Sequence, residues 1–270
     1  MSVRSPSVAG TFYPDCAEDL RRAVDETLPS LPKERVRAVV VPHAGYVYSG
    51  RVAGAVYARV EIPREVVLLC FNHRGSGEEF AVWREGSWNT PLGSVPVDTG
   101  LAVAIQGSFP AAEFDETGHE GEHSGEVQLP YLQRLRPDVR IAPVALSVGL
   151  ESRSFEQLRG FGRALAGLDR EFLVVASTDL NHYEDQASTL EKDGAAIAAI
   201  ERLDEGELRE AIVSRDISMC GYAPVVAAIA YAKAKGATRA RTVMHATSGD
   251  VSGDYDRVVG YVGMIIPCGN

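Results

Sequence analysis

Three times in this chain a run of strand-forming apolar residues gives way to a short polar turn that carries a histidine. Ala38-Val-Val-Val41 precedes His43, Val66-Val-Leu-Leu-Cys70 precedes His73, and Phe172-Leu-Val-Val-Ala176 precedes His182. In a parallel α/β sheet the carboxyl ends of the strands share one edge, and ligands bind in the crevice there. Three histidines distant in sequence can therefore meet in one site. Imidazole binds transition metals through a neutral ring nitrogen and titrates near neutrality, so the cluster suits a metal site, acid/base work, or both. Cys220, in Met219-Cys-Gly-Tyr222, is a fourth candidate, because a thiolate is the softest ligand a protein offers.

The neighbours of these residues fit the same reading. His43 lies between Pro42 and Gly45, one restricting and one freeing the backbone. Asn72 stands ready to orient His73, and Arg74 is close enough to bind an anion. Asp179 can accept the second ring N–H of His182 and fix its tautomer, or make an Asx turn instead. His119 and His123, four apart and accompanied by Glu120, Glu122 and Glu126, could form a separate zinc site, although Gly118, Gly121 and Gly125 weaken any helix there. Asp250 and Asp254 lack the twelfth-position Glu of an EF-hand and read as a hydrated turn.

The elements that must position these groups alternate. A helix capped by Asp15 runs to about Leu28, followed by a strand at Val36 to Val41, a helix capped by Ser49 through Ala58, and a strand at Glu65 to Phe71. Phe80 to Trp83 follows a Gly-rich loop, Trp88-Asn-Thr-Pro-Leu-Gly93 is a turn bearing a large aromatic, and a short strand near Val95 leads to a helix from Thr99 to Gln106. Glu113 to Gly125 is a polar loop opening into a helix with Val127, Leu129, Leu132 and Leu135. Strand, helix, strand, site loop and helix then recur at Arg140 to Val148, Ser154 to Leu168, Glu171 to Ser177, Thr178 to Tyr183 and Asp185 to Arg202. Helices at Glu205 to Ser214 and Pro224 to Lys235 precede closing strands at Arg241 to Thr247 and Arg257 to Ile266. This alternation predicts an α/β fold, one domain over 1–270, with a largely parallel or mixed central sheet and helices on both faces.

Composition narrows the function. The 270 residues, 45% hydrophobic, suffice for a sizeable core, and a net charge of -10 opposes binding to a phosphate backbone, so nucleic acid is not an expected partner. No apolar run is long enough for a membrane span and the N-terminal residues lack a signal-peptide core, so a cytoplasmic protein is expected. Four widely spaced cysteines form no C-x-x-C pair, which speaks for reduced thiols. The chain has no G-x-x-x-x-G-K-[ST], G-x-G-x-x-G or G-x-S-x-G, so nucleotide hydrolysis, dinucleotide redox chemistry and α/β-hydrolase catalysis lose their usual support.

Taken together, Val8-Ala-Gly-Thr-Phe-Tyr-Pro14, Pro42-His-Ala-Gly-Tyr46, Tyr48-Ser-Gly50, Asn72-His73, Trp88-Asn-Thr-Pro-Leu-Gly93, Glu122-His-Ser124 with Glu126-Val-Gln-Leu-Pro130, Ser177 to Tyr183, Cys220-Gly221 and Ser248-Gly-Asp250 resemble the Memo family, also called AmmeMemoRadiSam system protein B. The motifs run in order over nearly the whole chain. The resemblance implies a fold like that of the class III extradiol dioxygenases. It also implies a metal held by His43, His73 and Cys220, with His182 as the acid/base residue and Arg74, Tyr46, Trp88, Asp179 and His123 binding around the centre. The implied metal is iron, with copper or zinc as alternatives, and the implied activity is metal-dependent redox chemistry with oxygen. The rival expectation is a non-enzymatic module that binds anionic or phosphotyrosine-type peptides in the same pocket. Two positions depart from the family: Cys70-Phe71 stands where Gly-Pro often precedes the second histidine, and Gly125 stands where a larger apolar residue follows Glu-His-Ser.

Overall fold

Apolar β-branched runs buried on both faces form the centre of the molecule, which a computed structural model describes for residues 2–269. In chain order the strands and helices are β1 (Val3–Arg4), α1 (Ala17–Thr27), β2 (Val36–Val41), α2 (Tyr46–Tyr57), β3 (Glu65–Phe71), β4 (Phe80–Val82), β5 (Ser87–Thr90), β6 (Gly93–Pro96), α3 (Thr99–Ser108), β7 (Glu113–Phe114), α4 (Leu129–Leu135), β8 (Arg140–Leu146), α5 (Ser152–Ala166), β9 (Leu173–Ser177), β10 (His182–Glu184), α6 (Gln186–Glu201), α7 (Glu205–Arg215), α8 (Tyr222–Ala234), β11 (Arg241–Thr247), α9 (Gly249–Ser252) and β12 (Val258–Pro267). Single 3-10 turns at Thr117–His119 and Glu126–Gln128 interrupt the stretch between β7 and α4.

The large sheet is mixed. Its middle, in the order β2, β9, β3, β8, is parallel, while β12 runs antiparallel to β2 and β4 antiparallel to β8. Alternate side chains divide between two cores. Val40, Val67 and Leu69 face the side covered by α3, α5 and α8, whereas Val39, Val41, Val66, Leu68 and Cys70 face the side covered by α1, α2 and α4. The expected α/β architecture is thus present, with helices on both faces. Because β9 lies between β2 and β3, the turns that leave β2, β3 and β9 open side by side at one sheet edge. His43 and His73 each sit two residues beyond a strand end there.

Local details differ from expectation where tertiary contacts override the sequence signals. Helix α2 begins at Tyr46 after Gly45, and Ser49 lies inside it with its hydroxyl on the Ala44 carbonyl. Asp15 does not cap α1, whose flanking residue is Cys16. Trp88 belongs to a hairpin, β5 with β6, and joins β1 in a small second sheet. His119 is wholly buried beside Trp83 and Trp88, with Nε2 on the Ala81 carbonyl at 3.0 Å. Burial, reinforced by the nearby Arg4 cation and opposed by the Ala81 bond, lowers its pKa to about 4.

The two departures from the family pattern touch each other. A Cβ at Gly125 would lie 2.3 Å from Cys70 Sγ, so the sulfur occupies the room that a side chain at 125 would need. A larger residue at one position requires a smaller one at the other.

Two outcomes follow. Gly125→Leu is expected to destabilise by about 1–3 kcal/mol through overpacking, and combining it with Cys70→Gly recovers part of that loss in a double-mutant cycle measured by urea unfolding. His119 is neutral in the fold, so between pH 6.5 and its folded pKa of about 4 only the unfolded chain takes up its proton. Stability therefore falls as pH drops through this window, by up to about 3 kcal/mol from this residue. His119→Gln is expected to flatten the curve there relative to wild type.

Candidate metal centre

His43 and His73 are each held by a hydrogen bond at the Nδ1 of the ring. The Ser177 hydroxyl donates to the Ser124 carbonyl at 2.6 Å and accepts from Gln128 Nε2 at 3.0 Å. Its proton being committed, its contact with His43 Nδ1 at 3.0 Å is donated by the ring, which leaves His43 Nε2 as the unprotonated nitrogen. The main-chain N–H of His43 donates to Asp179 Oδ1 at 2.8 Å and fixes the turn. His73 is held by one carboxylate, Glu122, which accepts both its main-chain N–H at 2.8 Å and its Nδ1–H at 3.0 Å. The same carboxylate accepts the main-chain N–H groups of His123 and Ser124 and lies 3.5 Å from His123 Nδ1.

One acidic side chain thus fixes the His73 ring and the main chain of His123. The His73 and His123 rings stack at 4.6 Å, and His43 stands edge-on to both at 5.1 and 5.3 Å. One ligand nitrogen from each of His43, His73 and His123 lies within 4.8 Å of the others, an arrangement able to hold a metal ion. Burial first, then repulsion from the other two rings, lowers the His43 pKa well below its usual value. Burial also lowers that of His123, against the pull of Glu122. Both effects favour the neutral imidazole that a metal requires. Burial works to raise the Glu122 pKa, but the His73 hydrogen bond and charge and the Ser124 N–H outweigh it and hold the carboxyl well below its ordinary range.

The centre forms one wall of a cavity of about 560 Å³. His182 lines the cavity too, with its Nδ1–H on the Ser218 carbonyl at 2.9 Å and its main-chain N–H on the Ser218 hydroxyl at 2.8 Å, so Nε2 is the unprotonated nitrogen. Burial lowers its pKa, partly offset by the Ser218 carbonyl. Cys220 Sγ lies 3.2 Å from His43 Nε2 and accepts the Asp179 N–H at 3.4 Å. Burial, with the Asp179 charge adding to it, pushes the Cys220 thiol pKa well up. Burial also raises the Asp179 carboxyl to about 7, against the His43 N–H bond. Phe12, Tyr183, Val259 and Tyr261 complete the cavity as an apolar rim.

His43, His73, His123, Asp179, His182 and Cys220 are therefore brought together, and three expected binding residues are not. Arg74 donates its Nε to the Gly121 carbonyl outside the cavity lining. Tyr46 packs between Tyr13 and Tyr131, donating its hydroxyl to the Val127 carbonyl. Trp88 is fully buried in the second sheet beneath the Arg4 guanidinium. The separate His119/His123 site does not form, because the Ala81 bond draws His119 into the core while His123 turns to the other histidines. Glu122, grouped among possible ligands on sequence grounds, instead supports the rings from behind. Its adjacency to His123 was the visible signal, and its second partner, His73, lay 49 residues away.

The family model described as Memo-like protein matches residues 4–265. A MEMO1 family protein of Aquifex aeolicus is 43% identical over 270 residues, covering 98% of this chain and 99% of that one. Another, from Ignicoccus hospitalis, is 41% identical over 283 residues, covering 99% of each. The crystal structure of an uncharacterized protein from Escherichia coli K12 shares the fold, with a TM-score of 0.59 at 14% identity over 86% of this chain and 100% of that one. No helix among the described residues is long and apolar enough to cross a membrane. A match over nearly the full length in both the family model and the relatives, together with the collinear motifs that build the centre, makes this chain a member of the Memo family.

Proposed function

We propose that the protein binds a non-haem metal through His43, His73 and His123, the last in place of the expected Cys220, and uses it, as iron first with copper as the alternative, for oxygen-dependent redox chemistry on a small molecule; zinc would fit the same donors but supplies no redox couple. The observation that carries this reading is the convergence of three imidazole ligand atoms within 4.8 Å beside an open cavity. The donor set fits the group, since Ser177 and Glu122 occupy the outer nitrogens of His43 and His73 and burial keeps His43 and His123 neutral. When bound, the metal supplies a redox couple and open coordination positions.

The chain's own residues do the rest. His182 Nε2 accepts a proton from a bound molecule, and the Ser218 carbonyl steadies the cation that forms. The Asp179 carboxyl, raised to about 7 by burial, holds or releases a proton near neutrality. Phe12, Tyr183 and Tyr261 bind apolar surface and limit water. The peptide-binding alternative requires a fixed cation for an anionic group. Among the described residues the cavity lining contains neither Lys nor Arg, and Arg74 is engaged elsewhere, which favours the metal-based reading.

Protein purified without a histidine tag is expected to carry near-stoichiometric metal by elemental analysis, and His43→Ala to lose it; metal-free wild type that cannot be reconstituted rejects the reading. His182→Ala is expected to keep its metal and to slow oxygen consumption by roughly 10²–10⁴-fold, the usual contribution of a positioned acid/base group. Full turnover in that variant removes His182 from the chemistry.

A further inference from the structure

His182 meets Ser218 twice, with its main-chain N–H on the hydroxyl and its ring Nδ1–H on the carbonyl, so whatever fixes Ser218 also fixes the imidazole. That group is the side chain of Asn181, the residue just before His182. The Ser218 main-chain N–H and hydroxyl both donate to Asn181 Oδ1, each at 3.1 Å. A main-chain N–H can only donate, which dictates how the amide is turned: oxygen toward Ser218, nitrogen toward Glu184 Oε2 at 2.7 Å and Thr189 Oγ1 at 3.4 Å. Asn181 is wholly buried, and its main chain is pinned from two further elements. Its N–H donates to Asp193 Oδ1 on α6 at 3.0 Å, and its carbonyl accepts the Gly260 N–H on β12 at 2.8 Å. Asp193, wholly buried as well, accepts His245 Nε2–H from β11 at 2.8 Å on its other oxygen. Gly260 leaves room for this carboxylate, since a Cβ there would collide with Asp193 Oδ2. A buried amide with all its polar groups engaged keeps one orientation, because turning it over sets donor against donor.

We propose that Asn181 is a positioning residue for His182: its amide oxygen sets Ser218, and the Ser218 carbonyl sets the ring, so that Nδ1 carries the proton and Nε2 stays free to accept one. This rests on the acid/base role given to His182 above. A neutral imidazole released from the carbonyl exchanges between its two tautomers, and only one of them presents a lone pair at Nε2. Asn181 touches no reacting atom and acts only through Ser218.

The test is nitrogen NMR of tag-free protein labelled at its six histidines, supplied with Zn(II) in place of any paramagnetic ion and kept mildly alkaline so that the rings are neutral, with His182 assigned from His182→Gln. Wild type is expected to show His182 in the Nδ1–H form alone, and Asn181→Ala to populate the Nε2–H form. Asn181→Asp combined with Glu184→Gln returns an acceptor to Ser218 and a donor to the other oxygen, and is expected to restore the wild-type spectrum. In oxygen consumption Asn181→Ala is expected to lower kcat by roughly 10²-fold, the scale of a displacement of about 1 Å, and to cost nothing further once His182 is already Ala. A wild-type ring in the Nε2–H form, an unchanged spectrum in Asn181→Ala, or an equal loss of turnover with and without His182 overturns the proposal. Where Asn181→Ala does not fold, the wild-type and double-variant spectra decide, and absence of the Nδ1–H form from either overturns it. Wild type without oxygen-dependent turnover overturns the functional reading instead, and the spectra still decide whether Asn181 sets the ring.

Discussion

The buried Glu122 carboxylate is the contact on which the centre turns. It lies beneath two histidines from different segments, accepting a ring N–H and a main-chain N–H from His73 and the main-chain N–H groups of His123 and Ser124. A carboxylate this far from water is tolerated only when its lone pairs are filled, and this demand pins the turn after β3 to the loop before α4. The imidazole trio is thus preorganised by electrostatics. Without Glu122, stacking His73 on His123 would place two polar rings together with nothing to orient their nitrogens.

A second buried carboxylate four residues later extends the same logic to the amino-terminal arm. Glu126 pairs with Arg4 at 2.6 Å and accepts the N–H groups of Ser7 and Val8 and the Tyr13 hydroxyl. The arm is thereby tied to the loop that carries His123, and Phe12 from the arm reaches the His123 ring at 4.8 Å. Removing one member of such a buried pair leaves an uncompensated charge, typically a loss of about 3–5 kcal/mol, so the arm is an integral wall of the cavity. Its role explains why a segment with little regular structure contributes both a family motif and a cavity residue.

How much of this was legible in the sequence depended on how local each signal was. His43 and His73 could be read directly, because each follows an unbroken apolar run and parallel strands end at a common edge. By its own spacing His123 was visible as one of a pair with His119 in a glycine-broken loop, and its place around the centre came through the family resemblance. Its true partners arrive through the packing of that loop against β3, a contact no periodicity encodes. Cys220 joined the set through family resemblance rather than any pattern of its own. Trp88 was read as lying in a turn and joined the binding residues through the family resemblance, but pairing with β1 and β6 turns it inward. Cys70 and Gly125 could each be seen as unusual, yet their mutual compensation needed coordinates.

The far wall of the cavity shows how backbone conformation adds what side-chain alternation forbids. In a regular strand consecutive residues point to opposite faces, so only one of His182 and Tyr183 should reach the cavity. Both line it. The reason is the irregular pairing of β10 with β12 between His182 and Glu184, together with Tyr183 at φ 63°, in the left-handed region that a bulky residue rarely adopts. Such a conformation persists when its neighbours over-determine it. His182 is held twice by Ser218, and Glu184 is held by Asn181 and Lys192, so the residue between them has little freedom to relax. The strained position sets an imidazole with one free nitrogen next to an aromatic ring that is 65% exposed. A proton acceptor and an apolar contact surface are thus presented side by side in the cavity that the three histidines also line.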